Sequence, residues 1–170
     1  MNETAPLILV TGSTDGIGLA TAIGLAHRGA RVVIHGRKTE RIAAAEDALR
    51  AQGLQTAGSV LGDFADLSSV RAMAKQVRDG FPDLHVLLNN AGVFMQQRDV
   101  SVDGHEMTWQ VNHLAPTLLT MELLPLLRKN APSRIVNVAS IAHARGSIEL
   151  ADPGGERGYD GYAAYAQSKL

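Results

Sequence analysis

The sequence contains no cysteine, and this absence excludes several kinds of chemistry. Disulfide bonds, zinc–thiolate centres and thiol nucleophiles all require that residue. The chain also lacks an excess of charge of one sign, since 16 basic residues stand against 17 acidic ones among 170. Proteins that bind nucleic acid or anionic lipid usually carry a basic excess. We therefore expect neither nucleic acid nor a membrane among the partners of this protein.

A long apolar run is missing as well. The N-terminal stretch MNETAPLILVTG begins with polar residues and continues with only a short apolar segment. A secretory signal needs a basic start and a longer apolar core, and a membrane helix needs about 20 apolar residues. The N-terminal sequence therefore predicts a cytoplasmic location.

Histidines are present, but they are scattered without the spacing of metal ligands, and we predict no metal site. We interpret them as surface or locally bonded side chains: His27, His35, His85, His105, His113 and His143.

Short apolar segments alternate with segments of helical periodicity along the chain. Most of the apolar segments are apolar on both faces, as the strands of a parallel sheet covered by helices must be. The predicted strands are residues 7–11, 31–35, 56–61, 85–90 and 134–140. The predicted helices are residues 17–28, 39–52, 68–79 and 104–127. This alternation favours right-handed crossovers and a doubly wound α/β fold.

The fourth predicted helix contains Pro116, which cannot donate a hydrogen bond to the carbonyl of Asn112. Two interpretations stay open. A continuous helix would kink there and leave the Asn112 carbonyl free to accept from water, whereas a helix boundary would fall at Ala115. Farther along, glycines, a proline and charged residues predict a surface loop over 142–161.

The segment VTGSTDGIG joins the first predicted strand to the first predicted helix. Glycines at such a turn let a pyrophosphate approach the backbone, where the start of the helix offers unpaired N–H groups and partial positive charge. The glycine spacing differs from the commoner dinucleotide fingerprint, but the strand before it and the helix after it match that arrangement. We predict that a dinucleotide contacts these residues of the turn: Gly12, Ser13, Asp15, Gly16, Ile17 and Gly18.

The second predicted strand ends in IHGRK, without the acidic residue that usually binds the adenosine ribose in NAD-selective sites. Arg37 and Lys38 stand there instead, and a guanidinium at that point would pair with a 2′-phosphate. This favours NADP over NAD. Alternatively, the two basic residues merely begin a solvated helix.

Tyr165 and Lys169 lie four residues apart, and this spacing stacks them on one helix face. Reduction of a carbonyl needs a hydride and a proton, and a tyrosine with a pKa of about 10 exchanges protons poorly near neutrality. Lowering that pKa by about three units requires roughly 4 kcal/mol, which a neighbouring ammonium in a water-poor site can supply. Tyr159 and Tyr162 lack a lysine at this spacing.

Ser140 closes the fifth predicted strand, at the edge of the sheet where ligands bind in open α/β folds. Its hydroxyl can donate to a substrate oxygen. A rival interpretation makes Ser140 the nucleophile of a hydrolase with His143, but no nucleophile-elbow pattern is present. Asn90 ends the fourth predicted strand and is expected to lie near the cofactor, and Gly92 would allow close backbone approach to it.

Taken together, these segments resemble the short-chain dehydrogenase/reductase family. The matching pieces are TGSTDGIG, NNAG, WQVNHLA, IVNVAS and YAQSK, in the family's order. The stretches NVASIAHARGSIEL and YAAYAQSKL resemble its retinol-dehydrogenase-like branch, and the separation of Ser140 from Tyr165 also fits that branch. The resemblance implies an oxidoreductase that interconverts an alcohol and a carbonyl of a small molecule.

The resemblance also implies a Rossmann-type sheet of about five strands in the order 3-2-1-4-5, with the fifth strand as an exposed edge. It assigns Asn112 to support a water that reprotonates Lys169, and it places Lys169 on the nicotinamide ribose. Asp63 is expected to meet the adenine amino group. Capping of the next helix is the alternative role for Asp63, although Asp66 or Ser68 would serve better as a cap.

Family members continue past the position of Leu170 with further strands and a segment that covers the substrate. We therefore interpret residues 1–170 as one Rossmann-type dinucleotide-binding domain that is truncated at its C-terminus. A short protein completed by a partner is the other interpretation. Family members often pair through helices, which makes a homodimer one expected assembly. The competing functional hypothesis is a nucleotide-binding or interaction module that has lost catalysis.

Overall fold

The computed structural model describes residues 5–170, which form five parallel strands with helices between them. The polar N-terminal residues 1–4, on which the prediction of location partly rests, lie outside the described residues. The sheet order is β3-β2-β1-β4-β5, which confirms the predicted fold. The strands are β1 (Leu7–Val10), β2 (Arg31–Gly36), β3 (Gly58–Leu61), β4 (Leu84–Asn89) and β5 (Arg134–Asn137).

Helices connect the strands and continue beyond the last one. Asp66 caps one of them by accepting from the backbone N–H groups of Ser68 and Ser69, so the cap that the sequence suggested is made. None of the helices within residues 5–170 combines the length and the apolar character that crossing a bilayer requires. The helices are α1 (Gly16–His27), α2 (Thr39–Arg50), α3 (Leu67–Gly80), α4 (Met107–Trp109), α5 (Ala115–Lys129) and α6 (Gly161–Ser168).

Successive residues of β1 point to opposite faces of the sheet and enter two separate apolar cores. Leu7 and Leu9 pack with residues of α3 and α5 on one face. Ile8 and Val10 pack with residues of α1 and α2 on the other face. Each fully buried side chain of this size contributes roughly 1.5–3 kcal/mol, so both faces hold the central strand in place. This two-sided burial is why the strand reads as a continuous apolar run.

The strand β5 is the exposed edge that the sequence predicted. All four of its residues are exposed, including Ile135 and Val136, at 39% and 41%. It ends at Asn137, so the predicted strand 134–140 is three residues too long. Ser140 lies beyond the strand and caps a short 3₁₀ helix, Ile141–Arg145. The predicted loop over 142–161 begins within this turn.

Pro116 lies within a helical run that continues from α4 to α5. The segment Gln110–Leu114 between them is π-helical, and the N–H of Ala115 donates to the carbonyl of Gln110, five residues earlier. A π turn changes the hydrogen-bond register, so a proline can follow without ending the helix. Neither interpretation anticipated this: the helix continues past Ala115, but its register changes before the proline.

Candidate active site

A cavity of about 920 Å³ lies where the strands of the sheet end. This volume is near the upper end of the range that ligand pockets usually occupy. The glycine turn and Arg37 lie in its wall together with Tyr165, although the sequence separates them widely. The predicted site residues that line it are Gly12, Asp15, Gly16, Ile17, Gly18, Arg37, Asp63, Asn90, Gly92, Ser140, Tyr165 and Lys169. Ser13 and Asn112 lie behind the cavity wall.

The glycine turn folds tightly on itself between β1 and α1. Gly12 and Gly16 have positive φ angles of 63° and 50°, a conformation that favours glycine. A Cβ on Gly18 would lie 2.1 Å from the Gly12 carbonyl oxygen, well inside contact distance. Asp15 caps α1 by accepting from the Gly16 N–H at 2.7 Å. Because its glycines carry no side chain, the turn leaves the start of α1 open to the cavity.

The end of β4 is tied to this turn through Thr11, a buried residue. The Thr11 hydroxyl accepts from the backbone N–H groups of Asn90 and Ala91 at 2.9 and 3.0 Å. In return, the amide of Asn90 donates to the carbonyls of Thr11 and Gly12. These bonds give Asn90 a specific role, which is to hold two neighbouring loops of the cavity wall together.

Ser13 faces the protein interior instead of the cavity. Its hydroxyl accepts from the backbone N–H of His35 at 2.9 Å, and its own N–H donates to the His35 carbonyl. Ser13 thereby extends the pairing of β1 with β2 past the end of the strand. Its side chain supports the glycine turn from behind.

His35 is a buried residue of the cavity wall whose role the sequence did not indicate. Its Nδ1 accepts from the Gly12 N–H at 2.9 Å, and its Nε2 lies 3.1 Å from the Gly62 carbonyl oxygen. These contacts require the neutral ring with the proton on Nε2. The ring also stacks on Phe64. Neutral His35 therefore joins the glycine turn to the end of β3.

Burial lowers the pKa of His35 to about 4, because the charged ring would lose its hydration. The carbonyl of Gly62 and the charge of Asp63 act in the opposite direction but are weaker. Once protonated, Nδ1 could no longer accept from Gly12. Burial therefore keeps the His35 ring neutral, and only the neutral ring can make both hydrogen bonds.

We expect this histidine to make the stability of the fold depend on pH between about 6.5 and 4. In that window the unfolded chain binds a proton that folded His35 does not, so the free energy of unfolding falls as the pH falls. The full loss is about 3 kcal/mol, from a pKa difference of about 2.5 units. Urea unfolding of wild type and of His35→Asn, whose side-chain oxygen can replace Nδ1, would measure it.

The control for this prediction is His27→Asn, because His27 is exposed on α1. We expect that variant to keep the wild-type slope of stability against pH, while His35→Asn flattens it. Equal slopes in wild type and His35→Asn would contradict the prediction.

Arg37 supplies a basic group to the cavity wall near the glycine turn. Arg37 is exposed and lines the cavity, whereas the neighbouring Lys38 does not line it. Arg41 forms an ion pair with Asp15 at 2.9 Å, which neutralises the carboxylate nearest the glycine turn. Asp63 lines the cavity and accepts from the N–H of Ala65, so its carboxylate is held at the rim.

The other end of the cavity brings Ser140, Tyr165 and Lys169 together. The Lys169 ammonium lies 5.8 Å from the centroid of the Tyr165 ring and donates to the Val138 carbonyl at 3.1 Å. Burial lowers the pKa of Lys169 below its ordinary value. The hydroxyl of Ser140 accepts from the Ala142 N–H, which leaves its own proton to donate into the cavity.

Asn112 joins the loop at Val93 to the end of α6 through hydrogen bonds. Its Oδ1 accepts from the Val93 N–H at 2.7 Å, and its Nδ2 donates to the Val93 carbonyl and to the Ser168 hydroxyl, both at 2.9 Å. A Cβ on Gly92 would lie 3.2 Å from Asn112 Oδ1 and 3.4 Å from Lys169 Nζ. Glycine at position 92 therefore keeps open the space between these two polar groups.

The alternative of a serine hydrolase finds no support in this geometry. The Nδ1 atom of His143 lies 2.5 Å from the carbonyl oxygen of Ser140, a bond to the backbone. The Ser140 hydroxyl is bonded to Ala142 instead. A base that activates a serine must contact the hydroxyl.

The sheet order and the cavity at its carboxyl edge define a Rossmann-type α/β protein. The family model described as "short chain dehydrogenase" matches residues 6–170. The chain therefore belongs to the short-chain dehydrogenase family, as the sequence motifs indicated.

Similar proteins agree with this membership and with the resemblance to the retinol-dehydrogenase-like branch. Retinol dehydrogenase 11 of Homo sapiens is 44% identical over 165 residues, which cover 96% of this chain and 52% of that protein. The chain spans about half the length of the curated relatives it matches.

Solved structures share the fold. A crystal structure of an uncharacterized protein from Mycobacterium Paratuberculosis has a TM-score of 0.83 and 36% identity, covering 96% of this chain and 57% of that one. The NADP active-site complex of RhlG from Pseudomonas aeruginosa has a TM-score of 0.76 and 32% identity. The match covers 98% of this chain and 62% of the RhlG chain.

Proposed function

We propose that the protein is an NADP-dependent oxidoreductase that interconverts an alcohol and a carbonyl of a small molecule, with Tyr165 as general acid and base. One observation carries the proposal. Ser140, Tyr165 and Lys169 line the same cavity as the glycine turn. A nucleotide-binding module without chemistry would not need that trio at the opposite end of its site.

The cavity suits a nicotinamide dinucleotide. The glycine turn would hold the pyrophosphate at the start of α1, and Arg37 would pair with a 2′-phosphate at the far end. Lys169 would hold the nicotinamide ribose, and Asp63 the adenine amino group. When bound, the cofactor supplies or accepts the hydride.

The chain's own residues would transfer the proton. The Ser140 hydroxyl would donate to the substrate oxygen and hold it beside the phenol of Tyr165. Lys169, as a cation next to that phenol, would favour its ionised form. Asn112 would keep the Val93 backbone and α6 in register, so that Tyr165 and Lys169 stay at the wall.

Replacing Arg37 with alanine tests the choice of cofactor. We expect Arg37→Ala to weaken NADPH binding roughly 10- to 100-fold, because a charge-assisted contact to the 2′-phosphate is lost. NADH, which lacks that phosphate, should lose little affinity. Fluorescence titration with each nucleotide would measure both dissociation constants.

The matched control is Lys38→Ala, which removes the same charge from the neighbouring position outside the cavity wall. It should leave the preference for NADPH unchanged. An equal loss of affinity for both nucleotides in Arg37→Ala would argue against NADP selectivity through this residue.

The activity itself is tested by mixing the protein with NADPH and a panel of aldehydes while the nicotinamide absorbance is followed. Oxidation of NADPH that depends on the aldehyde supports the proposal. Binding of NADPH without oxidation by any aldehyde favours the catalytically inactive module.

The cytoplasmic location, the homodimer and the C-terminal truncation of a single domain stay predictions.

A further inference from the structure

Glu106 is a buried acidic residue whose carboxylate caps a helix and also contacts a side chain from another segment of the chain. Its exposure is 3%, and its two carboxylate oxygens accept from the backbone N–H groups of Thr108 and Trp109 at 2.8 and 2.7 Å. These bonds cap the helical run that begins at Met107 and carries Asn112. The carboxylate also lies 3.0 Å from the hydroxyl of Tyr159.

Tyr159 stands two residues before α6, the helix that bears Tyr165. Its hydroxyl lies within hydrogen-bond distance of both Glu106 and the carbonyl oxygen of Met95, at 3.0 and 3.1 Å. Burial raises the pKa of Tyr159, so the phenol keeps its proton as a donor. One hydroxyl thus meets the start of α4, the loop that follows β4, and the segment that enters α6.

The start of α6 packs directly against the same loop. A Cβ on Gly161 would lie 2.4 Å from the Met95 carbonyl oxygen, so the two backbones are in close contact. At the other end of α6, the Ser168 hydroxyl accepts from Asn112. The helical run from α4 to α5 therefore holds α6 at both ends.

We infer that Glu106 and Tyr159 form a positioning pair that sets the place of α6, and with it of Tyr165 and Lys169, against Ser140. The inference rests on the proposed function for its effect on catalysis. Neither residue of the pair lines the cavity, so the pair acts through the helix.

Tyr159→Phe tests the inference by removing a single oxygen atom. We expect kcat for aldehyde reduction to fall roughly 10- to 100-fold, because a small displacement of a proton donor is costly. The dissociation constant of NADPH should rise much less than kcat falls, because Lys169 is a single contact among those proposed for the cofactor. Hydrogen exchange at the amides of residues 161–168 should become about tenfold faster, with no change in β1 and β4.

The control is Tyr162→Phe, since Tyr162 is exposed and lies in the first turn of the same helix. It should behave as wild type in kcat and in exchange. In a Glu106→Ala background, Tyr159→Phe should cause a clearly smaller loss than it does in the wild type, because the contact between the two side chains is already absent there.

Three results would overturn the inference. They are an unchanged kcat in Tyr159→Phe, an exchange rate of α6 that does not rise, and a loss of NADPH affinity that parallels the loss of kcat. If the wild type turns over no aldehyde, the proposed function fails. The rate of amide hydrogen exchange in α6 of Tyr159→Phe is then the remaining test. Faster exchange than in the wild type supports the pair, and unchanged exchange overturns it.

Discussion

The Tyr165→Phe variant should bind NADPH as the wild type does and reduce aldehydes roughly 10²- to 10⁴-fold more slowly. The change removes only the hydroxyl that exchanges the proton and keeps the ring. That ring packs edge-to-face on Phe94, with 5.6 Å between centroids, so the wall of the cavity should keep its shape. Steady-state kinetics with NADPH and an aldehyde would measure kcat, and fluorescence titration would measure binding.

Tyr162→Phe serves as the matched control for this prediction also. It deletes the same atom three residues earlier on α6, at a position that does not line the cavity. Substantial turnover by Tyr165→Phe would show that another group handles the proton. A collapse of NADPH binding would show that the variant has lost the site as a whole.

The fold could be predicted because its determinants are local along the chain. Segments such as 31–35 are apolar on both faces because helices cover both sides of the sheet, and the two core clusters show that arrangement. The ends of elements were less predictable. The predicted strand 134–140 stops at Asn137, where the chain turns into the 3₁₀ helix that Ser140 caps.

The residues that line the cavity were largely predictable, because their motifs lie in short contiguous stretches. The contacts that hold those motifs together were not. His35 bonds to Gly12 across 23 positions, and Tyr159 bonds to Glu106 across 53. No local spacing connects such pairs, since the fold alone brings them within reach. Ser13 shows the same limit, because a motif does not tell which of its side chains faces inward.

Gly18 is the position at which a single methyl group should do the most damage to the nucleotide end of the cavity. An added Cβ would lie 2.1 Å from the Gly12 carbonyl oxygen and 2.5 Å from the Asn90 amide nitrogen. That amide already donates to the carbonyls of Thr11 and Gly12, so it cannot move without losing its bonds. The backbone of the turn must shift instead, together with the start of α1.

We therefore expect Gly18→Ala to lower the free energy of unfolding by about 1–3 kcal/mol and to weaken NADPH binding by a similar energy, roughly 10- to 100-fold. Gly24→Ala is the control, because Gly24 lies on the same helix and an added Cβ there would have nothing within 4 Å apart from its chain neighbours and its own helix backbone. That variant should be more stable than the wild type by up to about 1 kcal/mol and should bind NADPH normally, because alanine favours a helix. Urea unfolding and fluorescence titration would compare the two. Wild-type affinity in a folded Gly18→Ala would mean that the close packing of this turn does not shape the nucleotide site.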